Sequence, residues 1–113
     1  MPDAWRAMWM MVSYDLPSGT PKERRAESRF RAFLEQEGYM RLNFSVYSRF
    51  CGSAHALQGA RERVRRVMPE RGHVLMIEFT DAQWGRIEHV HRGNYRTPNP
   101  DVEQARPTQL KLF

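Results

Sequence analysis

Residues 9–12, Trp-Met-Met-Val, are apolar without alternation, and the run stops abruptly at Ser13-Tyr14-Asp15 before a Pro17-Ser18-Gly19 turn. A short run that is apolar at consecutive positions reads as a strand covered on both faces. Met8 to Asp15 is therefore expected inside a sheet with material on each side, which a single layer of helices cannot provide. The same stretch raises a chemical question, because it ends in an aromatic hydroxyl and a lone carboxylate. Asp15 suits a turn-forming role before Pro17. It equally suits a metal ligand held at a strand end.

Downstream, Thr20-Pro21-Lys22-Glu23 is a helix start. Threonine can cap, proline fits the first helical position, and glutamate three residues after threonine completes a capping box. Ala26, Phe30, Phe33 and Leu34 then share one helical face, and Gly38 stands where a left-handed cap would end the helix. Met40 to Phe50 alternates and is predicted as one long strand. Met40, Leu42, Phe44, Val46, Ser48 and Phe50 face one way, and Arg41, Asn43, Ser45, Tyr47 and Arg49 the other. Ser53 is a candidate cap for a second helix with Leu57, Ala60, Val64, Val67 and Met68 inward, stopped by Pro69 and Gly72. His73 to Thr80 reads as a third strand, residues 81–85 as a connection, and Arg86 to His91 as a short fourth strand. Residues 92–109 read as a proline-bearing linker, and the final Gln-Leu-Lys-Leu-Phe regains strand-like alternation.

Read literally, the order is β-α-β-α-β-β plus a terminal strand; a break inside residues 40–50 would make it β-α-β-β-α-β. Both orders give an α+β sandwich of the ferredoxin-like sort, an antiparallel sheet with two helices on one face. The expected domain is residues 1–91, with residues 92–113 as linker and tail. The apolar character of the first strand on both sides then calls for a cover on the open face, and a homodimer is the simplest.

The totals agree with one small globular domain of 113 residues, with no apolar run near the roughly 18 residues of a membrane span. The N-terminal apolar stretch is too short for a signal peptide. Cys51, the single cysteine, has no intrachain disulfide partner, which fits a reducing cytoplasm. The net charge is +5, and all but two of the 18 basic residues are arginine. Arginine presents a flat, bidentate fork to phosphate, so nucleic acid is a natural partner; a preference for arginine codons would leave the same composition.

Several of these residues together resemble a known family. Val12-Ser13-Tyr14-Asp15, Arg29 with Phe33-Leu34, and Arg41-Leu42-Asn43-Phe44-Ser45-Val46-Tyr47 are similar, in order and spacing, to the CRISPR-associated protein Cas-two. The likeness runs over about residues 8 to 91. It implies a ferredoxin-like homodimer that serves as a scaffold in spacer acquisition, binding duplex DNA backbone and bridging dimers of the CRISPR-associated integrase, Cas-one. It implies that Asp15 from each protomer faces its twin across the dimer axis, where the two could share one Mg²⁺. On that count the alternative is a metal-dependent endonuclease acting on RNA or DNA, with Asp15 as the catalytic residue. A third possibility is a toxin-like or RNA-binding ferredoxin-fold module acting alone.

The resemblance also implies phosphate contact at Arg29 and Arg41. Arg24 and Arg25 on the first helix, and Arg61, Arg65 and Arg66 in the densest basic segment, are further candidates; a solvated helix face would carry the same charges. Leu110, Leu112 and Phe113 are candidates for crossing to the other protomer or for docking on the integrase by adding to a sheet edge.

Overall fold

The computed structural model describes residues 7–93. In chain order its elements are β1 (Met8–Asp15), α1 (Pro21–Gln36), β2 (Met40–Asn43), β3 (Val46–Phe50), α2 (Ala54–Val67), β4 (His73–Thr80) and the short α3 (Asp81–Trp84). The strands form one sheet in the order β2-β3-β1-β4, with every neighbouring pair antiparallel. This is the expected α+β, ferredoxin-like architecture.

Local chemistry sets the helix starts. Thr20 caps α1 by accepting from the Glu23 backbone N–H, and the Glu23 carboxylate accepts in return from the Thr20 N–H at 3.0 Å. Ser53 caps α2 by accepting from the Ala56 N–H. Gly38, at φ +89°, follows the end of α1 as expected.

One face of the sheet meets the helices. Met10, Val12 and Tyr14 of β1 and Tyr47 of β3 pack with Phe30 and Leu34 of α1, with Leu57, Ala60 and Val64 of α2, and with Tyr39. Val67 and Met68, expected inward, are instead 39% exposed, because they lie at and beyond the last turn of α2, past the sheet-facing stripe. On the opposite face Trp9 stacks on Trp84, with ring centroids 4.0 Å apart and planes 6° from parallel. Met40, Leu42, Phe79 and Ile87 pack around them. Asp81, fully buried, accepts a hydrogen bond from Trp9 Nε1 at 2.9 Å. Only one end of the second face is closed in this way. Towards the other end β1 grows more accessible on that face, from buried Trp9 through Met11 and Ser13 to exposed Asp15.

Two expectations need correction. The predicted long strand is a hairpin, with Phe44-Ser45 as its turn. The pairing shifts by one residue between Arg41 and Asn43, so a bulge cancels the change of phase that a two-residue turn introduces. Alternation therefore runs unbroken from Met40 to Phe50 although the chain reverses. Second, residues 86–91 form no strand. Thr80 and Gln83 make another capping box, which turns the chain from β4 into α3, and Ile87 ends against the tryptophan pair. The terminal strand-like residues, including Leu110, Leu112 and Phe113, lie outside the described residues, as does most of the expected linker.

Candidate functional site

The end of β1 is fixed from three sides. The Tyr14 backbone N–H donates to the Ser45 carbonyl at 3.0 Å, tying the strand to the hairpin turn. Its ring sits edge-on to Phe30 at 5.1 Å and nearly parallel to Tyr47 at 6.2 Å. Its hydroxyl donates to Glu27 Oε2 at 2.9 Å, anchoring β1 to α1. Burial, reinforced by the Glu27 carboxylate, raises the Tyr14 phenol well above its ordinary value, so it stays a donor. Strand alternation then places Asp15 on the opposite, open face, in the company of Ser13.

The Asp15 side chain is exposed and forms no hydrogen bond or ion pair among the described residues. That leaves both carboxylate oxygens for water or a cation. Magnesium takes oxygen donors in a near-octahedral shell, commonly one or two carboxylates plus waters, and a free, solvated carboxylate fits that description. One chain supplies no more than this: among the described residues no group of three or more His, Cys, Asp or Glu side chains is placed to hold a metal ion. Ser13, Leu75 and Val46 lie beside Asp15 on the open face, since Ser13 pairs with both of the others. Leu75 is 47% and Ile77 39% exposed, so an apolar patch adjoins the carboxylate.

The cations gather on the helix layer, away from Asp15's face. Arg24, Arg25 and Arg29 line a shallow groove along α1 with Pro21 and Ser28. Arg29 also reaches a cleft of about 570 Å³ between α1 and the end of α2, where Lys22 and Arg71 join it, with Glu23 and Glu70 also on the wall, over an apolar floor that includes Leu16, Met68 and Pro69. Arg24 donates to the Ser18 carbonyl, and Arg25 and Arg29 have no carboxylate partner among the described residues. Arg65 and Arg66 are exposed in the last turn of α2.

The structure brings together only part of the expected set. Arg61 is paired with Glu78 of β4. Arg41 donates to the Asn43 and Phe44 carbonyls and lies 5.1 Å from the Phe44 ring centroid, bracing the hairpin turn. Tyr47 is fully buried, so it offers no platform for stacked bases. Sequence reasoning passed over Lys22 as a site residue, because only the fold sets it opposite Arg71. It also passed over His73, which the β1–β4 register puts directly across from Asp15.

A ferredoxin-like sheet with one helix-covered face, one partly open apolar face and a free carboxylate at the end of its first strand defines the class. A crystal structure titled as that of Cas2 matches it with a TM-score of 0.56 at 21% identity, covering 83% of this chain and 93% of that one; at this identity the match speaks for the fold. The sequence profile of the CRISPR associated protein Cas2 family matches residues 8–87. CRISPR-associated endoribonuclease Cas2 2 of Rhodospirillum rubrum is 41% identical over 113 residues, spanning all of both chains. CRISPR-associated endoribonuclease Cas2 of Parvibaculum lavamentivorans is 40% identical over 106 residues, 94% of this chain and 100% of that one. The corresponding protein of Flavobacterium psychrophilum is 36% identical, over 96% and 90%. The chain belongs to the Cas2 family and so has a CRISPR-associated role. No helix among the described residues is long and apolar enough to cross a membrane.

Proposed function

We propose that the chain acts in spacer acquisition as a homodimeric scaffold that grips duplex DNA by its backbone and bridges integrase dimers. The supporting observation is an excess of unpaired cations on the helix layer. Lys22, Arg25, Arg29 and Arg71 border the helix-layer grooves without ion-pair partners among the described residues, while the other face of the sheet presents Leu75 and Ile77. A second copy over that apolar face would leave both basic layers outward, open to a duplex. Residues 1–91 form the working domain in this reading. Residues 92–113 supply a spacer and a docking strand through Leu110, Leu112 and Phe113. Arg24, Arg65 and Arg66 extend the backbone contact; Arg41 and Arg61 add charge but are held by their own neighbours.

Contacts of this kind ignore sequence and weaken with salt, with a slope of about −0.9 per phosphate neutralised. Changing Arg24, Arg25 and Arg29 together to glutamine should flatten that slope by up to about 2.7 per chain. Fluorescence anisotropy of a labelled duplex across a salt series reads it. An unchanged slope overturns the placement of DNA on α1.

The relatives are named endoribonucleases, which favours a second reading, a nuclease; in this reading it would depend on a metal held by Asp15 of both copies. Its exposed and unpartnered carboxylate supports this. A bound Mg²⁺ there would polarise a phosphodiester and lower the pKa of a bound water. Asp15 would hold the ion, Ser13 would offer a hydroxyl beside it, and the apolar patch would exclude bulk water once covered.

A further inference from the structure

Phe44 and Phe50 are the exposed aromatic side chains among the described residues. Phe50 lies against Trp9, with ring centroids 5.3 Å apart. Phe44 is 79% exposed at the tip of the β2–β3 hairpin, and neither reading of the chain's function uses it. A ring left in water adds almost no burial to the fold of its own chain.

The turn nonetheless holds this ring in place. Arg41 donates from Nε to the Asn43 carbonyl at 3.4 Å and from Nη2 to the Phe44 carbonyl at 3.3 Å. The same guanidinium lies over the Phe44 ring, 5.1 Å from its centroid. The next carbonyl along, that of Ser45, accepts from the Tyr14 N–H at 3.0 Å. The backbone on either side of the ring is thus tied, to Arg41 and to the end of β1. One face of the ring is backed by a flat cation, and the remainder is open to solvent.

A nucleobase stacks on an aromatic ring whatever its sequence, because every base has a π face, and an arginine beside the ring adds cation–π attraction and a charge for the phosphates. Bases inside a duplex are already stacked on each other, so only an unpaired base can use such a ring. The charge of the chain, +5, and of the group behind the ring favours an anionic polymer over an apolar protein patch. We propose that Phe44, backed by Arg41, is a stacking platform for one unpaired base of a single-stranded nucleic acid. The Tyr14–Ser45 bond sets this platform beside the end of β1, so a strand stacked there passes close to the end that carries Asp15. The proposal rests on the chain's binding nucleic acid but not on duplex bridging, which uses the helix layer.

The test measures fluorescence anisotropy of three labelled probes with the full chain: oligothymidylate, an abasic strand of the same length, and a duplex. Wild type is compared with Phe44→Ala, Phe44→Leu and Phe44→Trp. The alanine and leucine variants should each bind oligothymidylate at least about fivefold more weakly, the lower end of what losing one stacked base costs. The tryptophan variant should bind it at least as tightly as wild type. The abasic strand and the duplex should bind all four proteins alike. Oligothymidylate bound equally by wild type and Phe44→Ala overturns the proposal. So does full binding by Phe44→Leu, because any apolar side chain would then serve. A change of oligomeric state in light scattering of Phe44→Ala also overturns it, by giving the ring to a seam between copies. Failure on oligothymidylate with duplex binding intact leaves the grip of the helix layer standing, whereas a chain that binds neither probe refutes both.

Discussion

Replacing Gly72 with alanine loads a methyl group onto the most crowded glycine of the described chain. Its φ of +125° lies where side-chain-bearing residues are strained, at a cost of about 1–3 kcal/mol. The added Cβ would also meet Leu16 Cδ2, the Asp15 carbonyl oxygen at 3.0 Å and Leu16 Cα at 3.3 Å. The leucine terminus can swing away, but the two backbone atoms cannot, so overpacking adds about 1–3 kcal/mol. Gly38 is the internal control. It too has positive φ, at +89°, yet nothing lies within 4 Å of its would-be Cβ. Gly38→Ala should therefore cost only the backbone strain, about 1–2 kcal/mol. At roughly 4 °C per kcal/mol for a domain of this size, Gly72→Ala should lower Tm by about 8–24 °C and Gly38→Ala by about 4–8 °C. Calorimetric melts at one fixed protein concentration measure both, which also holds any dimer contribution constant. Equal losses in the two variants would refute the argument that β4 is wedged against Asp15.

Other outcomes follow from the same geometry. Asp81→Ala leaves the Trp9 indole N–H without its buried acceptor and should cost about 2–3 kcal/mol in urea unfolding, with tryptophan emission moving to the red; a loss under about 0.5 kcal/mol would show that the bond is idle. Burial raises the phenols of Tyr14, Tyr39 and Tyr47 above their ordinary 10.0, Tyr39 to about 12. The unfolded chain therefore loses these protons first, so stability is intact below about pH 10 and falls as pH rises towards the folded values. A urea midpoint that stays constant through about pH 11.5 would contradict this, and Tyr14→Phe should soften the decline. Ile77→Lys places a charge on the apolar patch, where the side chain is already 39% exposed in the single chain. It should leave the melt of the fold intact while converting a dimer to a monomer in light scattering; an unaffected dimer would put the seam elsewhere.

The two helices and the first strand were legible because each carries its own signal. Thr20 with Glu23 marks the start of α1, Ser53 that of α2, and the non-alternating residues 9–12 mark a strand covered on both faces at one end. The hairpin was not legible. Its Phe44-Ser45 turn holds no residue at positive φ and so calls for no glycine, and its bulge restores the alternation that would otherwise have betrayed the reversal. The missed α3 had a signal, the Thr80–Gln83 capping box, hidden behind a strand reading of the residues that follow. At the site, Asp15 stood out because it ends a strand. His73 did not, since its meaning comes from strand register, which no local pattern encodes. Likewise Lys22 and Arg71 are 49 positions apart in the chain and meet only across the cleft that the fold creates.

The central claim is that the basic helix layer, not Asp15, carries the role in spacer acquisition. The most direct measurement is spacer integration into a repeat-bearing plasmid with the cognate integrase supplied, comparing wild type, Asp15→Ala and the Arg24, Arg25 and Arg29 triple glutamine variant, each first shown to be dimeric. The scaffold account predicts full integration with Asp15→Ala and its loss in the arginine variant. Loss with Asp15→Ala alongside full activity in the arginine variant would contradict it and return the function to the carboxylate.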